Sequence, residues 1–253
     1  MRVASLGSGS RGNATLIQHG NTTLLVDCGF SLKETERRLR RLGVEPNEVE
    51  AVFVTHEHTD HIRGVGVFAR KYRTPVWMTH GTRRLCNIGN LPLINELLTE
   101  QPVAINDIEI LPFSVPHDAA EPCQFRLTEG DKKLGILTDT GMITRHIIDT
   151  LDGIDGLLLE CNHDVDMLNE GQYPPALKER VGSDYGHLNN EQAAGLLDAI
   201  DTSRLAAIAA MHISEKNNTR FLAQQAIGSV LGWQHADIQV ADQDDGLGWI
   251  ELR

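Results

Sequence analysis

The chain has 253 residues, 41% of them hydrophobic, and a formal charge of −12 at pH 7. That length suits one large core in a single domain over 1–253, and the acidic balance excludes nonspecific binding of nucleic acid across the whole surface. A polyanionic substrate is admitted only through a local basic or metal-lined groove. Apolar runs such as 205–211 are too short to span a bilayer, so no membrane partner is expected. The N-terminus, with Arg2 as its one basic residue, does not read as a signal peptide. Cys28, Cys86, Cys123 and Cys161 form no Cys-x-x-Cys pair and suit reduced thiols in the cytoplasm.

Taken in order, short strands are expected at 3–6, 14–18 and 22–26. Between the first two, Gly7-Ser8-Gly9-Ser10-Arg11-Gly12-Asn13 either cradles an anion on backbone N–H groups or is a tight turn that needs positive φ. It lacks the Lys-Ser/Thr ending of a P-loop. The third strand ends in Asp27-Cys28-Gly29, where Asp27 orients a metal-bound histidine from behind or caps the helix expected at 32–42. In that helix Glu34 and Glu36 precede Arg38 and Arg40 by four residues, the spacing of surface ion pairs, and its arginines read as a solvated face.

The apolar, β-branched run 51–54 reads as a buried strand that delivers Thr55-His56-Glu57-His58-Thr59-Asp60-His61 onto the loop at its end. Three histidines and an aspartate within six residues are the ligand types of zinc, iron or manganese. Packing gives no reason to desolvate four such side chains together. His56 and His58 alternate on an extended backbone and reach one metal from the same side, and Asp60 and His61 then turn toward a second position.

A helix at 64–71 and a strand at 75–78 follow. His80 reads as surface, Arg83-Arg84 as a pair able to meet phosphate, and 90–99 as a helix or lid. A strand at 108–113 places His117 where a third ligand is needed. Strands at 123–127 and 133–137 form a hairpin running into Thr138-Asp139-Thr140-Gly141, where Asp139 bridges two metals or is a structural turn residue. After a helix at 144–151, a strand at 156–159 leads to Glu160-Cys161-Asn162-His163-Asp164. Glu160 and His163 read there as supporting or substrate-contacting groups. A helix is expected at 174–181. His187 then precedes a helix capped by Asn189 with Gln192 three residues on, beside partial positive charge suited to an anion. That helix buries Ala193, Leu196, Leu197 and Ile200. A strand at 205–210 runs into His212. Asn217 or Asn218 is expected to cap a last helix with a face of Leu222, Ala223, Ala226, Ile227 and Val230, before strands at 238–240 and 248–252.

Asp27, the 56–61 cluster, His117, Asp139 and His212 thus all follow expected strands, in one chain order. This order resembles the metallo-β-lactamase superfamily, whose signature is His-x-His-x-Asp-His followed by separate His, Asp and His residues, and the resemblance covers essentially the whole chain. It implies an α/β fold of αββα type, two central mixed sheets flanked by helices, and two divalent metal ions. By that resemblance His56, His58 and His117 hold the first ion and Asp60, His61 and His212 the second. Asp139 bridges them and Asp27 stands behind the ligands.

Ser8-Gly9-Ser10-Arg11-Gly12-Asn13, His117-Asp118-Ala119-Ala120-Glu121-Pro122, the 160–164 stretch, Gly186-His187-Leu188 and His212-Ile213-Ser214-Glu215-Lys216-Asn217-Asn218 look like the YycJ/WalJ-type subgroup, regarded as DNA exonucleases. The chain is also similar in outline to the tRNA 3′-processing endonuclease and to phosphonate-pathway phosphodiesterases. Glu160, His163 and His187 roughly match the tRNA enzyme's Glu/His motif, but no segment resembles its protruding tRNA-binding arm. The implied activity is metal-dependent phosphodiester hydrolysis of nucleic acid, DNA ahead of RNA, of 5′–3′ exonuclease type. Two metals ~3.5–4 Å apart lower the pKa of a bridging water toward ~7, and Asp60 helps orient the hydroxide. His187, paired with Glu160 or His163, is the candidate for stabilising or protonating the leaving 3′-oxygen. Ser214 and Asn217 are candidates for holding a phosphate oxygen. The same ligands serve thioester or lactone hydrolysis, as in glyoxalase-II-like relatives, or cyclic phosphodiesters. A redox di-iron role meets His58 where such proteins place a glutamate, and a non-catalytic metal-stabilised module meets a full ligand set.

Overall fold

A computed structural model describes residues 1–252. The chain opens with an antiparallel meander, β1 (Arg2–Gly7), β2 (Ala14–His19) and β3 (Thr22–Val26), and continues into α1 (Leu32–Arg41). Next come β4 (Ala51–Phe53), the single turn α2 (Thr59–Ile62), α3 (Val65–Tyr72), β5 (Val76–Thr79), α4 (His80–Leu85) and β6 (Ile94–Leu97). A second meander holds β7 (Val103–Ile105), β8 (Ile108–Ser114), β9 (Cys123–Glu129) and β10 (Lys132–Leu137). Then follow α5 (Arg145–Leu151), β11 (Gly156–Glu160), α6 (Val165–Glu170), α7 (Pro175–Val181) and α8 (Asn190–Ala199). Last are β12 (Ala207–Met211), α9 (Arg220–Leu231), β13 (Gln239–Val240) and β14 (Leu247–Glu251).

Two seven-stranded sheets result, in the orders β14-β1-β2-β3-β4-β5-β6 and β13-β12-β11-β10-β9-β8-β7. Each is mixed in the same way. Pairings up to β3 in the first sheet and up to β10 in the second are antiparallel, and those from β3 to β6 and from β10 to β13 are parallel. Parallel neighbours send their C-terminal ends to one edge. The loops after β3 and β4, and after β10, β11 and β12, therefore leave their sheets side by side.

Alternation along each strand sets the layers. Leu24, Val26 and Phe53 of the first sheet share an inner core with Phe125, Ile136, Leu158, Ala209 and Met211 of the second. Across that interface Phe53 meets Phe125 edge-on with ring centres 5.8 Å apart. The intervening residues face outward: Leu25 and Val52 pack under Leu39 of α1 and Phe68 of α3. Leu157, Leu159, Ile208 and Ala210 pack under α5, α8 and α9 through Ile147, Leu196, Leu197 and Ile227. The order is helices, sheet, sheet, helices, the αββα sandwich that the resemblance implied. Among the described residues no helix is long and apolar enough to cross a membrane.

Several local expectations are corrected. The 90–99 stretch is neither helix nor lid but carries β6, which pairs in parallel with β5 and so is held extended. The unanticipated β7 pairs with β8, Val103 opposite Ile110. Neither Asn217 nor Asn218 caps α9. The Thr219 hydroxyl accepts from Leu222 N at 3.2 Å, while the Asn218 and Asn190 amides bond each other reciprocally at 3.0 and 2.9 Å. Val230 is exposed and Ala223 and Ile227 are the buried positions of that helix. On α1 the arginine face is not wholly solvated: Arg38 is buried, pairs with Glu34 at 2.6 Å, and donates to the Leu6 and Gln243 carbonyls at 2.8 and 2.9 Å. Glu36 accepts from Lys71 and Tyr72 rather than pairing with Arg40.

Candidate metal centre

The short, fully buried β4 ends at Phe53, and Val54 and Thr55 continue it to the sheet edge. His58 keeps an extended backbone, φ −62° and ψ 146°, and its carbonyl then accepts from His61 N and Ile62 N at 2.9 and 3.1 Å to start α2. This single turn swings Asp60 and His61 away from the line of His56 and His58. Gly29 permits the close approach of this loop: a Cβ there lies 1.7 Å from the Asp60 carbonyl oxygen.

The imidazoles of His56, His58, His61 and His117 are each held by one nitrogen and offer the other. His61 Nδ1 donates to Asp27 Oδ2 at 2.7 Å, and its Nε2 faces Asp60 Oδ2 and Asp139 Oδ2 at 3.4 and 3.3 Å. His56 Nδ1 lies 3.0 Å from the Thr55 hydroxyl, and its buried Nε2 has no hydrogen-bond partner among the described residues. His117 Nδ1 donates to the Gly186 carbonyl at 3.0 Å, leaving Nε2 3.3 Å from His58 Nδ1. His58 Nε2 lies 3.2 Å from the Asp118 carbonyl. The His56 ring is centred 4.5 Å from His58, 4.8 Å from His117 and 4.1 Å from His61. Such outer hydrogen bonds fix tautomer and ring direction, as they do around metal-binding histidines.

Asp27 serves as a brace. Its carboxylate also accepts from Thr55 N at 2.9 Å and from the Thr55 hydroxyl at 2.8 Å. It does not cap α1, because Ser31 does. Asp139 sits between the two halves of the cluster, with Oδ1 3.0 Å from His212 Nδ1 and Oδ2 toward His61. Despite these short distances, Asp139 Oδ2 and His212 Nδ1 lack a hydrogen bond of acceptable angle. Asp27, Asp139 and His212 all adopt left-handed backbone, φ 60°, 51° and 51°. Non-glycine residues pay strain for that conformation, and such strain concentrates at functional sites.

The electrostatics divide the histidines. Burial pushes His56 and His117 below the usual imidazole range, which leaves neutral rings with a lone pair to give. Burial also opposes charge on His61 and His212, but Asp139, with Asp60 beside His61 and Glu160 beside His212, outweighs it and raises both. This crowd of carboxylates favours positive charge between them. A divalent cation supplies that charge compactly, displacing protons as it binds. The donor set and the three unpartnered atoms, His56 Nε2, Asp139 Oδ2 and His212 Nδ1, fit such an ion. Among the described residues, three groups have ligand atoms close enough to share one: His56, His58 and His117; His56, His61 and Asp139; and Asp139, Glu160, His187 and His212.

Glu160 ends β11 fully buried, with Oε2 accepting from Thr140 N and Leu188 N at 3.1 and 3.2 Å. His187 Nδ1 donates to its Oε1 at 2.8 Å. The partner of His187 is thus Glu160 and not His163, which is buried with Nδ1 unpartnered. Burial lowers His163 to about 4, so it is neutral at pH 7. Ser214 lines a cleft of about 270 Å³ together with His187 and His212. Asn217, read as a phosphate contact, is 1% exposed and stands behind Ser214, donating Nδ2 to its hydroxyl at 3.5 Å. Asn217 does not line that cleft, whereas Ser214 does.

The glycine-rich segment is a tight turn and not an anion cradle. Gly9 N donates to Asn13 Oδ1 and Arg11 N to Gln243 Oε1, both at 2.8 Å, and Asn13 N donates to the Asp60 carbonyl at 2.8 Å. Its product is Asn13, whose Nδ2 lies 3.2 Å from Asp60 Oδ2 and 3.1 Å from His61 Nε2. The Ser8 hydroxyl accepts from His212 N at 2.8 Å. Neither residue was singled out from sequence as a support for this cluster. The only signal for them is the motif itself, whose purpose becomes visible with the contacts.

The family model for the beta-lactamase superfamily domain matches residues 22–213. Exodeoxyribonuclease YycJ of Bacillus anthracis is 38% identical over 235 residues, 91% of this chain and 89% of that protein. Exodeoxyribonuclease WalJ of Streptococcus pneumoniae is 34% identical over 253 residues, 98% of this chain and 91% of that protein. The crystal structure of YhfI from Bacillus subtilis, a metallo-β-lactamase fold protein, superposes with a TM-score of 0.76 at 17% identity, covering 98% of both chains, which is a likeness of fold. On the family match and the two long alignments, the chain belongs to the metallo-β-lactamase superfamily, in its YycJ/WalJ-type group.

Proposed function

We propose that this chain is a metal-dependent nuclease that hydrolyses phosphodiester bonds of DNA from an end, in the 5′–3′ direction. The observation that carries the reading is the convergence of His56, His58, His61, His117, Asp139 and His212 at one place, with His56 Nε2, Asp139 Oδ2 and His212 Nδ1 buried and without a hydrogen-bond partner among the described residues. Two relatives named as exodeoxyribonucleases over most of their length support the substrate class. His56, His58 and His117 would hold one divalent cation, zinc, manganese or iron, and Asp60, His61 and His212 a second, with Asp139 shared.

Bound cations of this kind supply an activated water and neutralise charge on the phosphoryl oxygens. The protein's own groups do the rest. Asn13 and Asp27 fix Asp60 and His61, so the attacking side is set before substrate arrives. The Glu160 carboxylate holds His187 by Nδ1, which leaves Nε2 to donate a proton to the leaving 3′-oxygen. The Ser214 hydroxyl lines the cleft and can donate to a non-bridging oxygen.

The test is digestion of end-labelled linear DNA and RNA by protein loaded with manganese or zinc, beside an Asp60→Ala control and a glutathione thioester. Stepwise shortening of DNA, lost in the control and absent on the thioester, is expected. Thioester hydrolysis with intact DNA would refute the reading. His187→Ala should cut turnover with metal content retained, and lost metal with retained turnover contradicts its role.

A further inference from the structure

The cleft beside the cluster has a second half that the hydrolytic chemistry leaves unused. Beyond His187, His212 and Ser214 it is lined by Tyr173, Leu177, Val181 and Ile213, with Arg180 beside them. Leu177 and Val181 belong to α7, a helix with no buried residue, and neither joins any of the three hydrophobic cores. Their apolar side chains are thus spent on the cleft and not on folding. Tyr173 is half-buried, and Lys216 holds its ammonium 5.6 Å from the centre of the tyrosine ring. Arg180 donates Nε to Asp118 Oδ2 at 2.6 Å, and Asp118 Oδ1 lies 3.5 Å from His117 Nε2. An aromatic and aliphatic slot therefore opens directly from the metal-binding side, flanked by two cations on a chain that is otherwise strongly acidic.

We propose that this slot receives the nucleobase of the terminal nucleotide of the strand being cut. The base stacks on Tyr173 against Leu177, Val181 and Ile213, and Lys216 and Arg180 face the adjoining phosphates. This rests on the nuclease reading above and adds where the nucleotide sits and what grips it. Flat π-faces and flanking cations are what a single strand offers and needs, and stacking tolerates any base, as an enzyme degrading a strand from its end requires.

The experiment compares steady-state kinetics of the metal-loaded full chain on a single-stranded oligonucleotide and on the same oligonucleotide with abasic terminal nucleotides, which offers no terminal ring to stack. Stacking worth about 1–3 kcal/mol per base corresponds to roughly a 5- to 150-fold effect. Tyr173→Ala should raise the oligonucleotide KM by about that factor, with kcat changed far less. The ratio of intact to abasic-ended oligonucleotide efficiency should fall in step, and Tyr173→Phe should restore it. Lys216→Ala should flatten the dependence of log KM on log salt by about 0.7, the share of one single-strand phosphate contact. An unchanged KM in Tyr173→Ala, or equal losses on both substrates, overturns the slot while leaving the nuclease reading standing. A wild-type chain that spares DNA overturns both.

Discussion

Replacing Asp27 separates the bracing of the cluster from the stability of the fold. Its carboxylate accepts three hydrogen bonds, from Thr55 N, the Thr55 hydroxyl and His61 Nδ1, at 2.7 to 2.9 Å, and is 2% exposed. Asp27→Ala strands these donors at about 1–3 kcal/mol each. It also puts alanine at φ 60°, which costs roughly 1–2 kcal/mol. With non-additivity, a loss of about 4–5 kcal/mol is expected. Asp27→Asn is different, because asparagine tolerates that backbone. Thr55 N is a fixed donor, so the amide oxygen must turn to it and the NH₂ group to His61. The ring then shifts its proton to Nε2, and the nitrogen meant for a cation loses its lone pair. Stability should fall by only about 1 kcal/mol, while metal affinity drops about 10- to 100-fold. Chemical denaturation of the metal-free protein and competition with a chromogenic chelator read the two effects. Wild-type affinity in Asp27→Asn, or a stability loss equal to that of the alanine variant, would refute the tautomer argument.

Other substitutions follow from the same geometry. Gly29→Ala drives a methyl into the Asp60 carbonyl and should abolish tight metal binding, read by metal analysis of whatever folded protein is recovered. Asn13→Ala removes the amide beside Asp60 and His61 and should weaken metal affinity about tenfold with little change in melting temperature. Phe125→Ala empties the inter-sheet core and should cost about 3–5 kcal/mol by denaturant titration. Hydrogen bonds from Arg37 foremost, with Arg38, lower Glu34 to about 2 against burial, so its folded pKa lies below its unfolded one. Its contribution is present above about pH 4.5 and is lost as pH falls toward 2. Because the side chain is 32% exposed, Glu34→Gln should remove no more than about 1 kcal/mol at pH 7 and flatten the acid limb of the stability curve.

Much of the fold was legible because buried strands carry their period in plain view. Runs such as 24–26, 51–54 and 157–159 are apolar on both faces, as strands between two cores must be, and the ligand types fall at their ends. What failed was decided by tertiary contact. β6 and β7 are edge strands with half-exposed side chains, so their period is weak and pairing with β5 and β8 defines them. Arg38 reads as one more arginine on a charged helix until the Leu6 and Gln243 carbonyls claim it. Asn217 carries no mark in sequence of being turned inward behind Ser214. Tyr173 and Arg180 lie in a stretch with no strand and no buried helix face, and only the folded chain brings them beside His187.

The most direct measurement is the metal content of the chain after removal by chelator and reconstitution with zinc or manganese, read by mass spectrometry and by anomalous scattering from crystals. Two equivalents per chain are expected, one among His56, His58 and His117 and one by Asp60, His61 and His212, each with density against Asp139. A chain that takes up no cation, or that keeps two equivalents after His56, His117 and Asp139 are all changed to alanine, would contradict the account.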